Sequence, residues 1–275
     1  DFNRPMVAIN QWEQAEDSMY TLCGKDRIHP STDGHLVMAY LFLKAQGLAG
    51  KPVADIRIDG AGKKVTRSDN CRVSDLSVSS DNLTFTYEAK SLPYPIDTSY
   101  YDNEKHTQAD ALSVIPFMDE MNYEGLSVSG LSDGYYGLTI GREFIGRFTA
   151  RELERGINMA LLQNTPQYKQ AMKIRQMNEE RWLKERKMRE FYWVEYNLMR
   201  KTGMLWACDE AAVDTLRKYR PHDIFLQWNG DLWLQYMHKG IREDCVNEQQ
   251  DLVNRIYEQN KPIPLRIEIK KFTDL

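Results

Sequence analysis

Apolar and polar residues in the first 50 positions follow the pattern expected at the end of an α/β unit. A short apolar run, Met6-Val7-Ala8-Ile9, comes directly after Pro5. Apolar side chains then recur between residues 36 and 43, and their spacing predicts a helix from about Thr32 to Gln46. Gly47 is well placed to end this helix. Residues 1–50 are therefore interpreted as the C-terminal end of an α/β unit.

The pattern changes to one typical of strands between residues 51 and 146. Ser132-Asp133-Gly134 is a turn signal, and it predicts a hairpin between the apolar segments 126–129 and 136–140. A polar and aromatic stretch from Pro93 to about Asp110 is interpreted as a long loop. The remaining strands are predicted where apolar residues alternate with period two, at residues 54–59, 76–79 and 83–87.

From Thr149 onward the pattern is helical. Thr149-Ala150-Arg151-Glu152 is a capping box, which marks the start of a helix. The other predicted elements are a long helix from Thr165-Pro166 to Gly203, two shorter helices at 209–219 and 230–259, and a last strand at 265–269.

Composition narrows the classes of protein that the chain can belong to. Of its 275 residues, 42% are hydrophobic and 28% are charged, which is typical of a globular protein. The net charge of −4 gives no electrostatic case for a nucleic-acid partner, and no apolar run is long enough to span a bilayer. The four cysteines lie far apart, so buried free thiols are favoured over a disulfide framework.

An aspartate and a histidine three residues apart are the candidate chemistry of the chain. In Asp26-Arg27-Ile28-His29-Pro30, the carboxylate of Asp26 can hold the imidazole of His29 in one tautomer, which leaves the other ring nitrogen as a base. Such a base activates a serine hydroxyl for attack on an ester. The alternative is a pair of ordinary loop residues at a helix entrance, because the spacing Asp-x-x-His is frequent by chance.

The longer stretch around this pair resembles the last block of the SGNH (GDSL-type) ester hydrolases. The similar residues are Asp26-Arg27-Ile28-His29-Pro30, then Asp33-Gly34-His35, then the apolar helix with Met38-Ala39. Segments 125–140 and 152–160 resemble the accessory region of SGNH hydrolases from gut and environmental bacteria. The resemblance implies a three-layer α/β hydrolase fold, in which this aspartate and histidine are two members of a Ser-His-Asp triad.

The chain departs from the family pattern before this block. In the family a Gly-Asp-Ser nucleophile, an oxyanion glycine and an oxyanion asparagine come first, and nothing upstream of Asp26 matches them. The only serine there is Ser18, which follows Glu16-Asp17. A base without a nucleophile and oxyanion donors cannot carry out acyl transfer. We therefore expect the C-terminal part of an SGNH-type hydrolase, with the N-terminal strands absent and no esterase activity of its own.

The expected organisation is an SGNH-like end at residues 1–50, a β-rich accessory region at 51–146 and a mainly helical region at 147–275. By resemblance, the whole protein hydrolyses acyl or acetyl esters, including carbohydrate esters, and needs no cofactor and no metal. The expected partners are a small-molecule or glycan ester and either the missing N-terminal part or another copy of the chain. The resemblance also implies a periplasmic or secreted bacterial protein.

Two alternatives remain open on the residues alone. The chain can be a non-catalytic module whose strand-rich 51–146 region and helical tail contact a glycan or a partner protein. Separately, the loop tyrosines Tyr94, Tyr100 and Tyr101 either stack on sugar rings near a catalytic cleft or simply pack. A metal site is the other alternative, although its spacing matches no recognised motif. Its ligands are Asp26, His29, Asp33 and His35. The other histidines have no evident partner in the sequence: His106, His222 and His238.

Overall fold

The computed structural model describes residues 1–100 and 106–272. Contacts divide the chain into two compact units: the first contains residues 1–172 and the segment from Lys261 onward, and the second contains residues 173–260. The first unit is mixed α/β with two sheets, and the second is helical. This confirms the predicted mixed α/β class and the helical C-terminal part. The three-layer arrangement and the boundaries at residues 50 and 146 stay predictions.

The N-terminal residues form two helices joined by a loop. Helix α1 spans Asn3–Glu13, so the apolar run at residues 6–9 is helical. Helix α2 spans Thr32–Ala45, which confirms the predicted helix to within one residue. Gly47 follows it with a φ of 71°, a left-handed conformation that glycine adopts without strain. The buried face of α2 packs on a 3₁₀ turn at Gln108–Ser113.

Nine strands of the described residues form the two sheets of the first unit. They are β1 (Ala54–Asp59), β2 (Lys64–Asp69), β3 (Cys71–Val78), β4 (Asn82–Ala89), β5 (Glu124–Ser129), β6 (Tyr135–Ile140), β7 (Glu143–Thr149), β8 (Ile157–Asn158) and β9 (Leu265–Lys271). One sheet has the order β2-β1-β5-β8, with β1 and β5 parallel. The other is antiparallel and has the order β3-β4-β9-β6-β7, so β9 returns from the C-terminal end of the chain to its centre.

The predicted hairpin between segments 126–129 and 136–140 is wrong. Both segments are strands, but β5 and β6 belong to different sheets. The hairpin partner of β6 is β7, which it joins through a turn at Gly141 with a φ of 63°. Alternating apolar residues predict a strand and its inward face, whereas the partner is decided by distant segments. Here Leu126 of one sheet and Leu138 of the other fill the same core.

The helices of the remaining chain largely follow their sequence signals. The predicted capping box is present, because the backbone N–H of Thr149 donates to Glu152 Oε2 at 2.7 Å and that of Glu152 donates to Thr149 Oγ1 at 3.2 Å. The helices are α3 (Phe117–Glu120), α4 (Ala150–Arg155), α5 (Pro166–Val194), α6 (Glu210–Tyr219), α7 (Ile224–Tyr236) and α8 (Lys239–Gln259). None of the described helices combines the length and the apolar character that crossing a bilayer requires.

The single helix predicted at 230–259 is two helices, α7 and α8. The chain turns between them at Met237 and His238, and the guanidinium of Arg242 donates to the carbonyls of Tyr236 and Met237 at 2.6 and 2.7 Å. Those bonds satisfy carbonyl groups that the end of a helix leaves without an intrahelical partner. The break is therefore stabilised by local polar contacts that the apolar pattern does not contain.

A buried carboxyl group links the two sheets of the first unit. Glu124 begins β5 and is fully buried. Its Oε1 accepts hydrogen bonds from the hydroxyl of Tyr87 on β4, at 2.8 Å, and from Nε2 of Gln167 on α5, at 3.2 Å. Burial raises the pKa of Glu124 to about 7, against the lowering effect of these two bonds. Among the described residues, Glu124 Oε2 has no hydrogen-bond partner, so this environment favours the protonated form.

We expect the first unit to lose stability as the pH rises from about 4.5 through 7. Between these values the folded protein holds a proton on Glu124 that the unfolded chain has released, so the free energy of unfolding falls with pH. The shift corresponds to about 3 kcal/mol once the pH exceeds 7. Urea unfolding between pH 5 and pH 8 measures this dependence, and Glu124→Gln should flatten it. An equally steep dependence in that variant would contradict the assignment to Glu124.

Candidate active site

Asp26 and His29 lie on a loop whose two ends are joined by backbone hydrogen bonds. The N–H of Ser31 donates to the carbonyl of Leu22 at 3.0 Å, and the N–H of Gly24 donates to the carbonyl of His29 at 2.7 Å. Cys23 and Pro30 form an antiparallel bridge between these bonds. These contacts hold the two ends of the loop together, and the residues between Gly24 and His29 project outward.

The side chain of Asp26 stabilises the turn that places His29 beside it. Its Oδ1 accepts the backbone N–H groups of Ile28 and His29 at 2.9 and 3.1 Å, as the side chain of an Asx turn does. Arg27 adopts a left-handed conformation with a φ of 57° to allow this turn. The turn leaves Oδ2 of Asp26 2.6 Å from Nδ1 of His29. The contact that the spacing predicts is therefore present in the structure, while its catalytic role stays a prediction.

The contact decides which nitrogen of His29 can act as a base. A carboxylate only accepts hydrogen bonds, so Nδ1 carries the proton and Nε2 has a free lone pair. The His29 side chain is 83% exposed. Within the part of the chain that the structure describes, Nε2 makes no hydrogen bond, and the exposed Ser18 makes none with His29. The imidazole can accept a proton from a group that approaches from outside.

The electrostatic environment keeps Asp26 ionised. The hydrogen bond from His29, followed by those from the backbone N–H groups of Ile28 and His29, lowers the pKa of Asp26 to about 2. The carboxylate is thus charged throughout the pH range in which a histidine works as a base. When His29 accepts a proton, the adjacent negative charge stabilises the imidazolium.

A second pair of acid and histidine lies at the base of the loop. Asp33, in the first turn of α2, is only 1% exposed. Its Oδ1 accepts the N–H of Gly34 at 2.8 Å and contacts the hydroxyl of Ser31. Its Oδ2 has no hydrogen bond among the described residues and lies 3.7 Å from Nδ1 of His106. Sequence reasoning missed this pair, because nothing in the local pattern connects two residues so far apart in the chain.

The four residues considered as metal ligands do not converge. Nδ1 of His35 donates instead to the carbonyl of Ser31, at 3.1 Å. Among residues 1–100 and 106–272, no group of three or more His, Cys, Asp or Glu side chains is arranged to hold a metal ion.

The tyrosines of the long loop have different surroundings. The Tyr94 hydroxyl accepts a hydrogen bond from Nε2 of Gln108 at 2.8 Å, and its ring contacts Phe117 edge to face. Tyr100 is exposed, and Tyr101 lies outside the described residues. Tyr94 is therefore held by packing and a hydrogen bond.

Removal of the imidazole should raise the pKa of Asp26 from about 2 toward the ordinary value of 3.8, because the hydrogen bond from His29 is the largest cause of its depression. Carboxyl carbon chemical shifts measured by NMR across pH 1.5–6 in the wild type and in His29→Ala give both values. His222→Ala, at an exposed position in the second unit, is the matched control and should leave the titration unchanged. An unaltered Asp26 midpoint in His29→Ala would show that the 2.6 Å contact does not form in solution.

A family model and a solved structure are similar to this chain. Residues 172–261 match the family described as "Diltiazem deacetylase C-terminal helical domain". A solved structure of a gut microbial diltiazem-metabolizing enzyme has 42% sequence identity to this chain and a TM-score of 0.92, over 98% of this chain and 61% of that one. This chain therefore spans less than two thirds of that enzyme's length. A comparison with curated proteins gives no match.

Proposed function

We propose that this chain supplies the acid–base pair of an SGNH-type serine ester hydrolase, with His29 as the general base and Asp26 as the residue that orients it. The observation that carries the proposal is the 2.6 Å contact between Asp26 Oδ2 and His29 Nδ1, with Nε2 open to an incoming group. Similarity to a diltiazem-metabolizing enzyme over 98% of the chain supports ester hydrolysis as the reaction. The family that residues 172–261 match is named after a deacetylase, an enzyme that removes an acetyl group.

The proposed reaction uses a serine hydroxyl from outside the described residues. His29 Nε2 accepts the hydroxyl proton while the serine oxygen attacks the ester carbonyl, and the imidazolium returns that proton to the leaving alcohol. Asp26 stays ionised and stabilises the imidazolium. Water, activated by the same base, then hydrolyses the acyl-serine. Donors for the oxyanion also come from outside the described residues and contribute the largest single part of the rate.

Apolar side chains in residues 1–50 support docking of the part that bears the nucleophile. Helix α1 has no buried residue, and even Trp12 on this helix is 80% exposed. Helix α2 is apolar on almost every side, yet Phe42 is exposed. Met19, which precedes the loop of Asp26 and His29, and Ile28, which lies within it, are exposed as well. A helix that is apolar all round belongs in a core, so these four side chains, the N-terminal apolar set, are inferred to be covered in the active protein.

The partner that covers the N-terminal apolar set is proposed to be further sequence of the same polypeptide, or otherwise a second copy of this chain. The match covers 61% of the diltiazem-metabolizing enzyme. A protein of that enzyme's length would therefore have further residues that could include a nucleophile and oxyanion donors. The substrate is proposed to be a small-molecule or glycan ester of a short acyl group, cleaved without a cofactor. A periplasmic or secreted location also remains part of the proposal.

The complete polypeptide, which joins this chain to the nucleophile-bearing part, should hydrolyse p-nitrophenyl acetate and the acetyl ester of diltiazem. His29→Ala should lower kcat about 10²- to 10⁴-fold, because it removes the base. Asp26→Asn should also lower kcat, since it keeps the Oδ1 bonds to the backbone but replaces the charged partner of Nδ1. Initial rates at saturating substrate measure both effects.

His222→Ala is the control for this assay and should retain the full rate. Full activity in His29→Ala would exclude the proposed role and favour the non-catalytic accessory module. By itself, the 275-residue chain should show no turnover. Turnover of that chain that is lost in His29→Ala but kept in Ser18→Ala would refute an external nucleophile.

Free in solution, the 275-residue chain should bind a hydrophobic dye or self-associate through the N-terminal apolar set. Phe42→Ser should reduce dye fluorescence and the associated fraction more than Phe144→Ser, a comparably exposed phenylalanine on β7. Dye titration and sedimentation velocity measure the two effects. A monomer that binds no dye, or equal effects of the two substitutions, would count against a covered N-terminal face.

A further inference from the structure

We propose that Asp33 and His106 form a positioning pair that holds the loop from Cys23 to Pro30, and with it Asp26 and His29, against the first turn of α2. The inference rests on the proposed function for its catalytic consequence. Neither Asp33 nor His106 takes part in the proposed reaction itself, and this inference assigns a role to both.

The carboxylate of Asp33 is buried without full hydrogen bonding. One oxygen is engaged by the N–H of Gly34 and by Ser31, but the other has no hydrogen-bond partner among the described residues. A buried carboxylate with an unsatisfied oxygen is unfavourable unless a positive charge compensates it. His106 Nδ1, at 3.7 Å, is too far for a hydrogen bond but within the range of an ion pair. His106 is the side chain that the structure places beside this oxygen, and we assign it this role.

The negative charge of Asp33 is felt by the surrounding groups. Burial is the main cause that raises the pKa of Tyr20 to about 12, and the charges of Asp33, Glu13 and Asp110 add to it. The Tyr20 ring meets the His106 ring edge to face, with centroids 6.0 Å apart. His106 thus lies close to both an aromatic ring and a buried acid.

Ser31 and Gly34 connect Asp33 to the base of the loop. The hydroxyl of Ser31 lies 3.0 Å from the Leu22 carbonyl as well as in contact with Asp33, while the N–H of Ser31 donates to the same carbonyl. Gly34 presses the first turn of α2 onto this point so closely that a Cβ there would overlap the Leu22 carbonyl oxygen. A shift of Asp33 is therefore transmitted through Ser31 to both ends of the loop.

Replacement of Asp33 or His106 is expected to displace the loop that carries Asp26 and His29. Asp33 is buried, so it does not contact substrate and its loss should not weaken substrate binding directly. A loop that moves by a fraction of an ångström misplaces Nε2 of His29 relative to the nucleophile, and rates depend steeply on such distances. The expected signature is a fall in kcat with KM little changed, together with a loosened contact between Asp26 and His29.

The test uses Asp33→Asn and His106→Gln in the complete polypeptide, with Asp119→Asn and His222→Gln as controls at exposed positions. Each test variant should lower kcat for p-nitrophenyl acetate about 10- to 100-fold, because a displacement of about 1 Å at a catalytic group can cost ~10²-fold in rate. The double variant should be no worse than the more damaged single variant, because both act through one pair. In the 275-residue chain, NMR titration of Asp26 should move upward in both variants.

His106→Gln keeps the test decisive if Asp33→Asn fails to fold, because His106 is partly exposed and Gln retains a polar side chain. An unchanged kcat and an unchanged Asp26 titration in folded His106→Gln would overturn the proposal. Equal falls in kcat in the two control variants would overturn it as well. If the Asp26 titration moves but the complete polypeptide hydrolyses no ester, the positioning role stands and the proposed esterase function fails.

Discussion

The hydrogen bonds of the Asp26 carboxylate are the interaction on which the candidate site depends. One oxygen accepts two backbone N–H groups and shapes the turn, and the other accepts the proton on Nδ1 of His29. The same carboxylate therefore builds the loop, selects the tautomer and supplies the charge that stabilises an imidazolium. A single substitution at this position disturbs all three functions, which makes Asp26 more than a partner of His29.

Two carboxyl groups of the first unit illustrate how the surroundings set the charge of a side chain. Asp26 is exposed and well supplied with donors, so its pKa is held at about 2. Glu124 is buried between two sheets, and its pKa is raised to about 7 in spite of two hydrogen bonds. Desolvation outweighs hydrogen bonding for Glu124, and the reverse holds for Asp26. The first arrangement suits chemistry at the surface, and the second suits a packed core.

The loop that carries the candidate base gains its stability from both near and distant residues. Near residues close it, through the bonds of Ser31 to Leu22. Distant residues brace it, because His106 reaches Asp33 from the region beyond the strands β3 and β4. The segment that follows β4 therefore has a structural connection to this loop.

Many elements of the fold, and the contact between Asp26 and His29, could be predicted because they depend on residues close together in the sequence. The strand at 54–59, the helix α2 and the capping box at Thr149 depend on residues within a few positions of one another, and each is present as predicted. The contact between Asp26 and His29 is local too, since three residues and an Asx turn suffice to form it. The sequence by itself thus determined most element positions and the orientation of one imidazole.

Only the tertiary structure decided the pairings between distant segments. It separated β5 from β6, placed β9 between β4 and β6, and brought His106 to Asp33. Such contacts arise because the burial of apolar faces and of polar side chains is a property of the whole folded chain, which no short stretch of residues encodes.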